Sequence, residues 1–283
     1  MSPRPLTLVP GASGGIGADL ARQFAAHGHD LALVARSADR LGERAPDLAH
    51  HAPARRAPLV IALDLGQPDA GEKLTAALDA AGASVEILVN NAGYGLAGAA
   101  RDLDRAEQLG MIGLNIRALI DLPLRFLPQI VAARGGVLNV ASTAAFQPGP
   151  GMAVYYATKA FFLSFSEALA QELKGEGVTV TALCPGPTLT GFQQRAGFDS
   201  SMLLTRMTAM SAKDVAAAGY AALMAGERVA IPGLVNKVTA FSAPFTPNAV
   251  LLPLVERLQK KRGGGAPAAW AATPDGGRRP AAS

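Results

Sequence analysis

The chain has 283 residues, of which 49% are hydrophobic and 17% charged, a composition that supports a large core and excludes whole-chain disorder. Its single cysteine, Cys184, excludes internal disulfides and a cysteine-built zinc site, and the four histidines show no ligand spacing, so we expect no metal. The net charge of +4 is C-terminal: residues 225–283 hold eight Lys/Arg and three Asp/Glu, whereas residues 1–224 hold 18 and 19. A near-neutral body argues against a nucleic-acid partner.

Neither end of the chain predicts a secretion signal or a membrane span. The apolar stretch within residues 1–10 is too short for a signal-peptide core. The most apolar late stretch, residues 229–258, contains four prolines as well as Lys237, Glu256 and Arg257, which makes a poor spanning helix. A lone cysteine also suits a reducing compartment. We therefore expect a soluble, cytoplasmic protein.

Apolar runs of strand length alternate with helical stretches along most of the chain. In chain order, strands are predicted at residues 6–9, 30–35, 59–63, 87–89, 137–141 and 178–183. Helices are predicted between them at residues 15–28, 37–51, 68–82, 101–134 and 153–175. Apolar strands separated by helices are typical of an α/β protein whose parallel sheet is covered on both faces. The predicted fold is therefore a doubly wound, Rossmann-like parallel sheet in a single domain.

The later part of the chain predicts the end of this domain and an extension. Residues 186–210 break the strand–helix rhythm and predict a lid or substrate loop. A further helix and a short strand near 229–231 complete the sheet, so the Rossmann-like domain is predicted to cover residues 1–232. Residues 233–262 predict an amphipathic C-terminal extension, and the Gly-, Ala- and Pro-rich residues 263–283 predict a disordered tail.

A glycine-rich loop follows the first strand and opens the first helix. Its glycines permit a tight turn and a close approach of the backbone to a pyrophosphate at the helix N-terminus. The spacing is G-x-x-x-G-x-G, and the alternative is an ordinary strand–helix turn with extra glycines. The dinucleotide interpretation assigns the contacts to Gly11, Ser13, Gly15, Ile16 and Gly17.

A basic residue stands where dinucleotide-binding folds place the contact to the adenosine ribose. Arg36 lies about 19 residues after Gly17, at the position where an acid would bind the 2′-hydroxyl of NAD. A guanidinium suits a 2′-phosphate in charge and in bidentate geometry, with Ser13 and Arg40 as further contacts. This pattern favours NADP (NADPH) over NAD as the cofactor. The alternative is that Arg36 only solvates the end of a strand.

Four polar residues have a spacing that suits proton transfer. Tyr155 and Lys159 are four apart on a predicted helix, so their side chains share one face. Ser142 lies thirteen residues before Tyr155, at the end of the fifth strand, and Asn115 lies 27 residues further upstream. Taken singly, these residues would more often be helix surface, a turn residue and a cap. The neighbouring Tyr156 is not at the four-residue offset from Lys159, which selects Tyr155.

Together these marks resemble the short-chain dehydrogenase/reductase family over about residues 5–232. The resemblance rests on Gly11–Gly17, Asn90-Asn91-Ala92-Gly93, Asn115, Ser142, Tyr155-Tyr156-Ala157-Thr158-Lys159 and Pro185-Gly186. It implies an NADP-dependent enzyme that transfers a hydride between NADP(H) and a carbonyl or alcohol. One departure is Pro10, where the family usually has threonine, so that a hydroxyl and a backbone donor are missing from the turn.

The resemblance also implies a role for each catalytic residue. Tyr155 would be the general acid in reduction and the base in oxidation, with Lys159 and the oxidised nicotinamide lowering its pKa from about 10. Lys159 would also hold the nicotinamide ribose, Ser142 would orient the substrate oxygen, and Asn115 would hold a water that links Lys159 to solvent. Further cofactor contacts implied are Asp64 and Leu65 at the adenine, Asn90, Ala92 and Gly93 beside the cofactor, and Pro185, Gly186, Thr188 and Thr190 near the nicotinamide carboxamide and phosphate. For Asp64 the alternative is a helix cap.

The sequence says less about the substrate than about the cofactor or the catalytic residues. An apolar ketone or aldehyde is favoured by a pliable pocket that would be lined by Met152, Phe192, Met202, Leu203, Leu204 and Met207. Ordinary core or interface packing explains the same residues equally well. Two rival functions keep the same fold: a non-catalytic NADP-binding regulator and a membrane-surface interaction protein.

Two surfaces predict partners. Residues 249–262 combine an apolar face with a basic end and suit weak contact with a membrane surface, although packing on the chain's own domain is the commoner outcome. The apolar side of the helix at 153–175, with Phe161, Phe162 and Phe165, suits a helix–helix interface in a homo-oligomer, a dimer or tetramer as in the family. Core packing alone also explains these phenylalanines.

Overall fold

The computed structural model of the chain describes residues 3–51, 56–192, 196 and 209–262. At its centre is a parallel sheet of seven strands in the order β3-β2-β1-β4-β5-β6-β9. These strands are β1 (Arg4–Pro10), β2 (Leu31–Ala35), β3 (Leu59–Ala62), β4 (Ala83–Asn90), β5 (Gly136–Val140), β6 (Thr179–Leu183) and β9 (Val229–Ala230). Two further short strands, β7 (Thr188–Leu189) and β8 (Met210–Ser211), pair in parallel with each other. The predicted parallel α/β fold is confirmed.

Helices cover both faces of this sheet. They are α1 (Gly15–Ala26), α2 (Ala38–His51), α3 (Ala70–Ala80), α4 (Arg105–Ile112), α5 (Leu119–Ala133), α6 (Ala153–Glu172), α7 (Ala212–Met224), α8 (Leu234–Ser242) and α9 (Asn248–Arg262). Phe126 of α5 and Phe162 of α6 pack in one buried cluster with Leu8 of β1. Phe24 of α1 packs in a second cluster with the next strand residue, Val9. Because successive strand residues point to opposite faces, the two clusters are the two sides of a doubly wound sheet.

The helix predicted as continuous over residues 101–134 differs in its start and its middle. It begins directly after Asp104, whose carboxylate accepts a hydrogen bond from the Glu107 amide at 2.8 Å and caps the helix. Between α4 and α5, residues Gly113–Ala118 form a π-helical turn. Such turns are frequent at functional sites. This one carries Asn115, which is almost fully buried.

The carboxyl ends of the central strands meet at one edge of the sheet. The glycine loop follows β1, Asn90 ends β4, Ser142 follows β5 and Pro185 follows β6. Open α/β sheets bind their ligands at this edge. The fold therefore brings the predicted motifs, which are far apart in sequence, to one place.

Parts of two predicted features lie outside the described residues. Of the predicted lid, residues 193–195 and 197–208 are not described, and these include Met202, Leu203, Leu204 and Met207. The predicted tail at 263–283 is likewise outside the described ranges. The lid's described ends are Phe192 and strand β8.

The C-terminal extension folds as two helices with different surroundings. On α8, Leu234, Val238 and Phe241 are 77%, 61% and 75% exposed. On α9, Leu251 and Val255 are buried. One face of the segment at 249–262 therefore packs on the chain's own domain. In the ranges given above, no helix is long and apolar enough to cross a membrane.

Candidate active site

The loop between β1 and α1 has a backbone that favours glycine. Gly11 and Gly15 have φ values of 76° and 55°, in the left-handed region. A Cβ on Gly17 would overlap the carbonyl oxygen of Gly11, and a Cβ on Gly11 would lie 3.0 Å from the Cα of Ala92. The loop is therefore folded tightly on itself and against the segment that follows β4, and these positions have no room for a side chain.

The same loop presents the N-terminus of α1. Gly14 precedes the helix without a side-chain cap, and a Cβ placed on it would meet nothing within 4 Å. The first amides of a helix lack partners within the helix and carry the positive end of its dipole, which together bind phosphate groups. The uncapped start of α1, bordered by glycine backbone, fits the pyrophosphate of a nicotinamide dinucleotide. Gly11, Ser13, Gly15, Ile16 and Gly17 are the residues that would hold it.

Asn91 fixes this loop from the segment after β4. Its Nδ2 donates hydrogen bonds to the carbonyl oxygens of Pro10 at 3.3 Å and of Gly11 at 3.2 Å. Pro10 does not interrupt the pairing of β1 with β2, because the amide of the next residue, Gly11, donates to the Val34 carbonyl at 2.8 Å. Sequence reasoning missed Asn91, although it lies inside the Asn90–Gly93 motif that was singled out. The loop of this chain is held in place despite the proline.

The segment after β6 borders the glycine loop from the other side. Thr190 lies next to Gly15, where an added Cβ would be 3.2 Å from the Thr190 Cβ. The hydroxyl of Thr188 donates to the carbonyl of Gly186 at 3.0 Å. A Cβ on Gly186 would overlap the side chain of Asn236 on α8. The structure thus brings the predicted contact Thr190 to the glycine loop, and it packs α8 over the start of the segment after β6.

Arg36, Asp64 and Tyr94 interact at another part of the same edge. Burial raises the pKa of Tyr94, and Glu107 adds to the rise. The Arg36 guanidinium lowers that pKa, while Asp64 raises it, so both charges lie within electrostatic reach of the phenol. Arg36 directly follows β2 and is exposed. The predicted adenosine contacts Arg36 and Asp64 therefore both lie within electrostatic reach of Tyr94.

Asp64 shapes a turn rather than a helix terminus. Its Oδ1 accepts a hydrogen bond from the Gly66 amide at 2.9 Å. Helix α3 begins only at Ala70, after its N-cap Asp69, so the alternative of a helix cap for Asp64 is wrong. Leu65, the other predicted adenine contact, is 5% exposed and packs in the core.

Sequence reasoning also missed Arg44 on α2. Its Nε donates a hydrogen bond to the carbonyl oxygen of Ser13 at 3.0 Å, which holds a guanidinium against the glycine loop. The predicted Arg40, one turn earlier, is exposed, and its backbone amide donates to the Ser37 hydroxyl at 3.3 Å. The Arg44 contact joins residues 31 positions apart. Nothing in a helix with charges of both signs distinguishes Arg44 before the chain is folded.

The predicted catalytic residues meet where α6 passes the end of β5. The phenol of Tyr155 lies close enough to the Ser142 side chain for Ser142 to lower its pKa. The Nζ of Lys159 lies 5.8 Å from the centre of the Tyr155 ring and donates to the carbonyl oxygen of Val140 at 2.8 Å. The Ser142 hydroxyl also donates to the Pro185 carbonyl at 3.5 Å. Ser142, Tyr155 and Lys159 form one cluster, which we name the Ser–Tyr–Lys cluster.

Burial decides the protonation states in this cluster. Desolvation raises the pKa of Tyr155 above its ordinary range, and the Ser142 side chain opposes this only in part. The direction is the opposite of the predicted lowering by Lys159, because removal of the phenol from water is the larger effect. Burial also lowers the pKa of Lys159 to about 8. At neutral pH the cluster therefore holds a neutral phenol and a charged amine.

Asn115 connects the cluster's helix to the segment after β4. Its Nδ2 donates to the Tyr94 carbonyl at 2.9 Å and to the Thr158 hydroxyl at 3.2 Å. Its Oδ1 accepts from the Tyr94 amide at 3.1 Å. The Thr158 hydroxyl in turn donates to the Tyr155 carbonyl at 2.7 Å. Asn115 is thus joined to the residue before Lys159, and Thr158 is a contact that sequence reasoning missed.

The wall beside Tyr155 is apolar. The Phe192 ring lies 5.4 Å from the Tyr155 ring, centre to centre. A Cβ on Gly95 would be 2.8 Å from the Phe192 ring and 3.2 Å from the Met152 methyl group. Ala97 packs in the same cluster as Met152 and Tyr155. The two described members of the predicted apolar pocket therefore lie at the phenol.

Cys184 is fully buried just before Pro185, and burial raises the pKa of its thiol to about 12, so it is a poor nucleophile. No group of three or more His, Cys, Asp or Glu side chains in the described part of the chain could hold a metal ion. At this edge the Ser–Tyr–Lys cluster has the groups that proton transfer needs, and the glycine loop has a backbone suited to phosphate.

Comparison with known proteins agrees with this site. A family model described as short chain dehydrogenase matches residues 6–200. The sulfoacetaldehyde reductase of Chromohalobacter salexigens is 37% identical over 215 residues, which is 74% of this chain and 83% of that protein. The serine 3-dehydrogenase of Agrobacterium fabrum is 37% identical over 188 residues, 65% of this chain and 72% of that protein.

Solved structures give the same result. A short-chain dehydrogenase from Sphingobium yanoikuyae in complex with NADPH superposes with a TM-score of 0.75 and 33% identity, covering 85% of this chain and 93% of that one. The bulky-bulky ketone specific alcohol dehydrogenase from Comamonas testosteroni gives a TM-score of 0.71 and 30% identity over the same shares, 85% and 93%. The chain therefore belongs to the short-chain dehydrogenase/reductase family and is a hydride-transferring oxidoreductase.

Proposed function

We propose that the chain interconverts a carbonyl compound and its alcohol with NADP(H), with Tyr155 as the general acid in reduction. The observation that carries this proposal is the meeting of three side chains: the Nζ of the buried Lys159 lies 5.8 Å from the centre of the Tyr155 ring, and Ser142 lies within interaction range of the Tyr155 phenol. A protein that only senses the cofactor has no use for a phenol held in this way. The geometry therefore favours an enzyme over a non-catalytic NADP-binding regulator.

The protein's task in this reaction is to move a proton. A bound nicotinamide supplies the hydride to the carbonyl carbon. The Ser142 hydroxyl orients the carbonyl oxygen, and the Tyr155 phenol, kept neutral by burial, gives it a proton. The charged Lys159 amine stabilises the phenolate that remains and holds the nicotinamide ribose. A proton relay from solvent to Tyr155 by way of Asn115 and Lys159 is proposed from the family resemblance, and Asn115 is fixed for it by its bonds to Tyr94 and Thr158.

The pH dependence of reduction follows from Lys159. Its pKa of about 8 means that the ammonium is present below that pH and is lost as the pH rises through it. Tyr155 stays protonated over the same range. We expect kcat/KM for NADPH, which reports the free enzyme, to fall as the pH rises above about 8. Steady-state reduction rates measured from about pH 6 to about pH 10 check this; a flat profile would contradict it. Lys159→Arg, which keeps its charge throughout, should lose the decline near pH 8.

The preference for NADP over NAD is proposed from two guanidinium groups. Arg36 follows β2 and lies within electrostatic reach of Tyr94. Arg44 is held at the Ser13 carbonyl. A second positive charge at the glycine loop favours a cofactor that carries an extra phosphate. The NADPH in the Sphingobium yanoikuyae structure supports this choice.

Arg36→Asp is expected to raise the Kd for NADPH by about ten-fold or more, because a charge-assisted hydrogen bond to phosphate becomes a repulsion. The Kd for NADH should change by less than about two-fold or improve. Lys174→Asp is the matched control, because it makes the same change in charge at the C-terminal end of α6, away from the carboxyl edge. Both constants are measured by cofactor fluorescence. An unchanged ratio of the two constants would refute the role of Arg36.

The substrate proposed is an apolar ketone or aldehyde. The described wall at Tyr155 consists of Met152, Phe192, Gly95 and Ala97. A wall of this kind suits an uncharged substituent better than a sulfonate or an amino acid. The bulky-ketone specificity named for the Comamonas testosteroni enzyme supports this preference, whereas the names of the two sequence relatives point to small polar substrates.

A screen of NADPH oxidation tests the function and the substrate class together. Ketones and aldehydes of increasing chain length are compared with sulfoacetaldehyde and with the aldehyde that is formed when serine is oxidised at C3. We expect kcat/KM to rise with apolar chain length. Fastest turnover of a charged substrate would overturn the apolar proposal while leaving the reductase. Tight NADPH binding with no turnover of any carbonyl would favour the non-catalytic regulator.

A homo-oligomer and a location in the cytoplasm remain proposals. Phe162 is buried in the core, so core packing explains that residue. Phe161 on the same helix is 41% exposed, and Leu124 of α5 is 56% exposed. An apolar pair on neighbouring helices supports an interface with a second copy. Weak membrane contact through residues 249–262 is supported by the outer side of α9, where Val250 and Leu254 are exposed.

A further inference from the structure

One face of the C-terminal helix α9 is buried. Leu251, Val255 and Gln259 are 7%, 3% and 7% exposed, and their spacing of four residues places them on one stripe of the helix. Leu254, on the outer side, is 52% exposed. The extension is therefore attached to the catalytic body through a defined face.

Gln259 makes a polar contact at the end of this stripe. Its Nε2 donates a hydrogen bond to the hydroxyl of Tyr156 at 2.6 Å, across 103 positions of sequence. Both side chains are buried, and the Gln259 Cβ lies next to Gly151. The Oε1 of Gln259 has no hydrogen-bond partner among the described residues. Burial of an amide with an unpaired oxygen costs free energy, and an apolar side chain at this position would avoid that cost. The bond to Tyr156 is what a glutamine adds here.

Tyr156 is fixed in the first turn of α6. Its ring covers Gly149, where an added Cβ would overlap the ring atoms. Its amide donates to the Met152 carbonyl at 3.1 Å, and its ring centre lies 6.2 Å from that of Tyr155. A displacement of the Tyr156 ring therefore moves the turn that carries both the phenol of Tyr155 and the Met152 wall.

We propose that Gln259 is a positioning residue: through the Tyr156 hydroxyl it fixes the first turn of α6 and so the Tyr155 phenol beside Ser142. The inference rests on the proposed role of Tyr155 in proton transfer. Proton donation needs a hydrogen-bonding distance to the substrate oxygen, and displacements of about 1 Å lower rates by up to about 10²-fold. The C-terminal extension is in this way part of the catalytic unit rather than an appendage to it.

Gln259→Leu keeps the size of the side chain and removes its amide. We expect kcat for carbonyl reduction to fall about ten-fold. The Kd for NADPH should change less than about two-fold, because the contacts of Gln259 are with Tyr156 and Gly151, at the start of α6. Leu254→Ala on the exposed side of α9 is the matched control and should leave kcat unchanged. A purely structural role would lower the melting temperature of Gln259→Leu without changing kcat well below it.

Tyr156→Phe removes the other partner and gives a double-mutant cycle. If the two groups act through one bond, the double variant with Gln259→Leu is no slower than the slower single variant. Wild-type kcat in the folded Gln259→Leu variant, or additive effects in the double variant, overturns the proposal. If Gln259→Leu does not fold, Tyr156→Phe decides by the same measurements.

Hydrogen–deuterium exchange supplies a readout that needs no substrate. The peptide covering residues 149–160 should exchange faster in Gln259→Leu than in the wild type or in Leu254→Ala, while the glycine loop should be unchanged. Unchanged exchange in this peptide overturns the inference, whatever the activity. An inactive wild type would overturn the proposed function alone, because the exchange result stands without turnover.

Discussion

Tyr155→Phe is expected to lower the rate of NADPH-dependent carbonyl reduction by about 10²–10⁴-fold, because it removes the proton donor. The Kd for NADPH should change by less than about two-fold, since the ring that packs beside Phe192 is kept. Single-turnover absorbance of NADPH gives the rate, and fluorescence titration gives the Kd. Ser142 retains its hydroxyl, so a small residual rate through orientation of the carbonyl is consistent with the mechanism.

The control for this variant is Tyr220→Phe. Tyr220 is also a tyrosine on a helix, but it stacks on His27, with ring centres 4.1 Å apart, away from the Ser–Tyr–Lys cluster. Its loss should leave both constants unchanged. Wild-type turnover in Tyr155→Phe would contradict the assignment of the proton donor, and the adjacent Tyr156 would then have to be tested in its place.

Gly17→Ala is expected to raise the Kd for NADPH by at least about 100-fold, or about 2.7 kcal/mol. The added Cβ overlaps the carbonyl oxygen of Gly11, which Asn91 already holds, so the loop has to open before the methyl group is accommodated. Neither the Gly11 carbonyl nor the hydrogen-bonded Asn91 amide is the free end of a flexible chain. Isothermal titration with NADPH measures the change, and thermal unfolding shows whether the fold is kept.

Gly14→Ala is the matched control in the same loop. Gly14 has a φ of 178°, an extended conformation that any residue adopts, and its Cβ would meet nothing within 4 Å. We expect its Kd for NADPH to stay within about three-fold of the wild type. Similar binding by the two alanine variants would show that the loop is not the pyrophosphate site.

Most of the fold was predictable because its signals are local. Strands buried on both faces read as apolar runs, as in Leu6–Val9 of β1, and the glycines after β1 mark a turn by their own flexibility. The Tyr155–Lys159 offset fixes a shared helix face without any knowledge of the tertiary structure. The edge of the sheet then follows from the topology, since parallel strands end together.

The remaining site contacts depend on tertiary proximity and could not be predicted. Arg44 and Gln259 look like ordinary polar residues of exposed helices until folding brings them to Ser13 and Tyr156. The rise in the pKa of Tyr155 that burial causes in the chain alone could not be predicted either. A sequence shows which charge is nearby, but it does not show how much water is lost around the phenol, and here that loss dominates.

Asn115, on the π-helical turn at Gly113–Ala118, makes hydrogen bonds that few other side chains could make. Its amide gives a donor and an acceptor to the same residue, Tyr94, in the way that one rung of a β-ladder does, while the same Nδ2 also reaches Thr158. The Asn115 side chain thus makes the pair of hydrogen bonds with the Tyr94 backbone that a neighbouring strand would make. Aspartate lacks the N–H groups, leucine lacks both functions, and glutamine is one methylene too long for a fully enclosed position. The site therefore has no conservative substitute at this position.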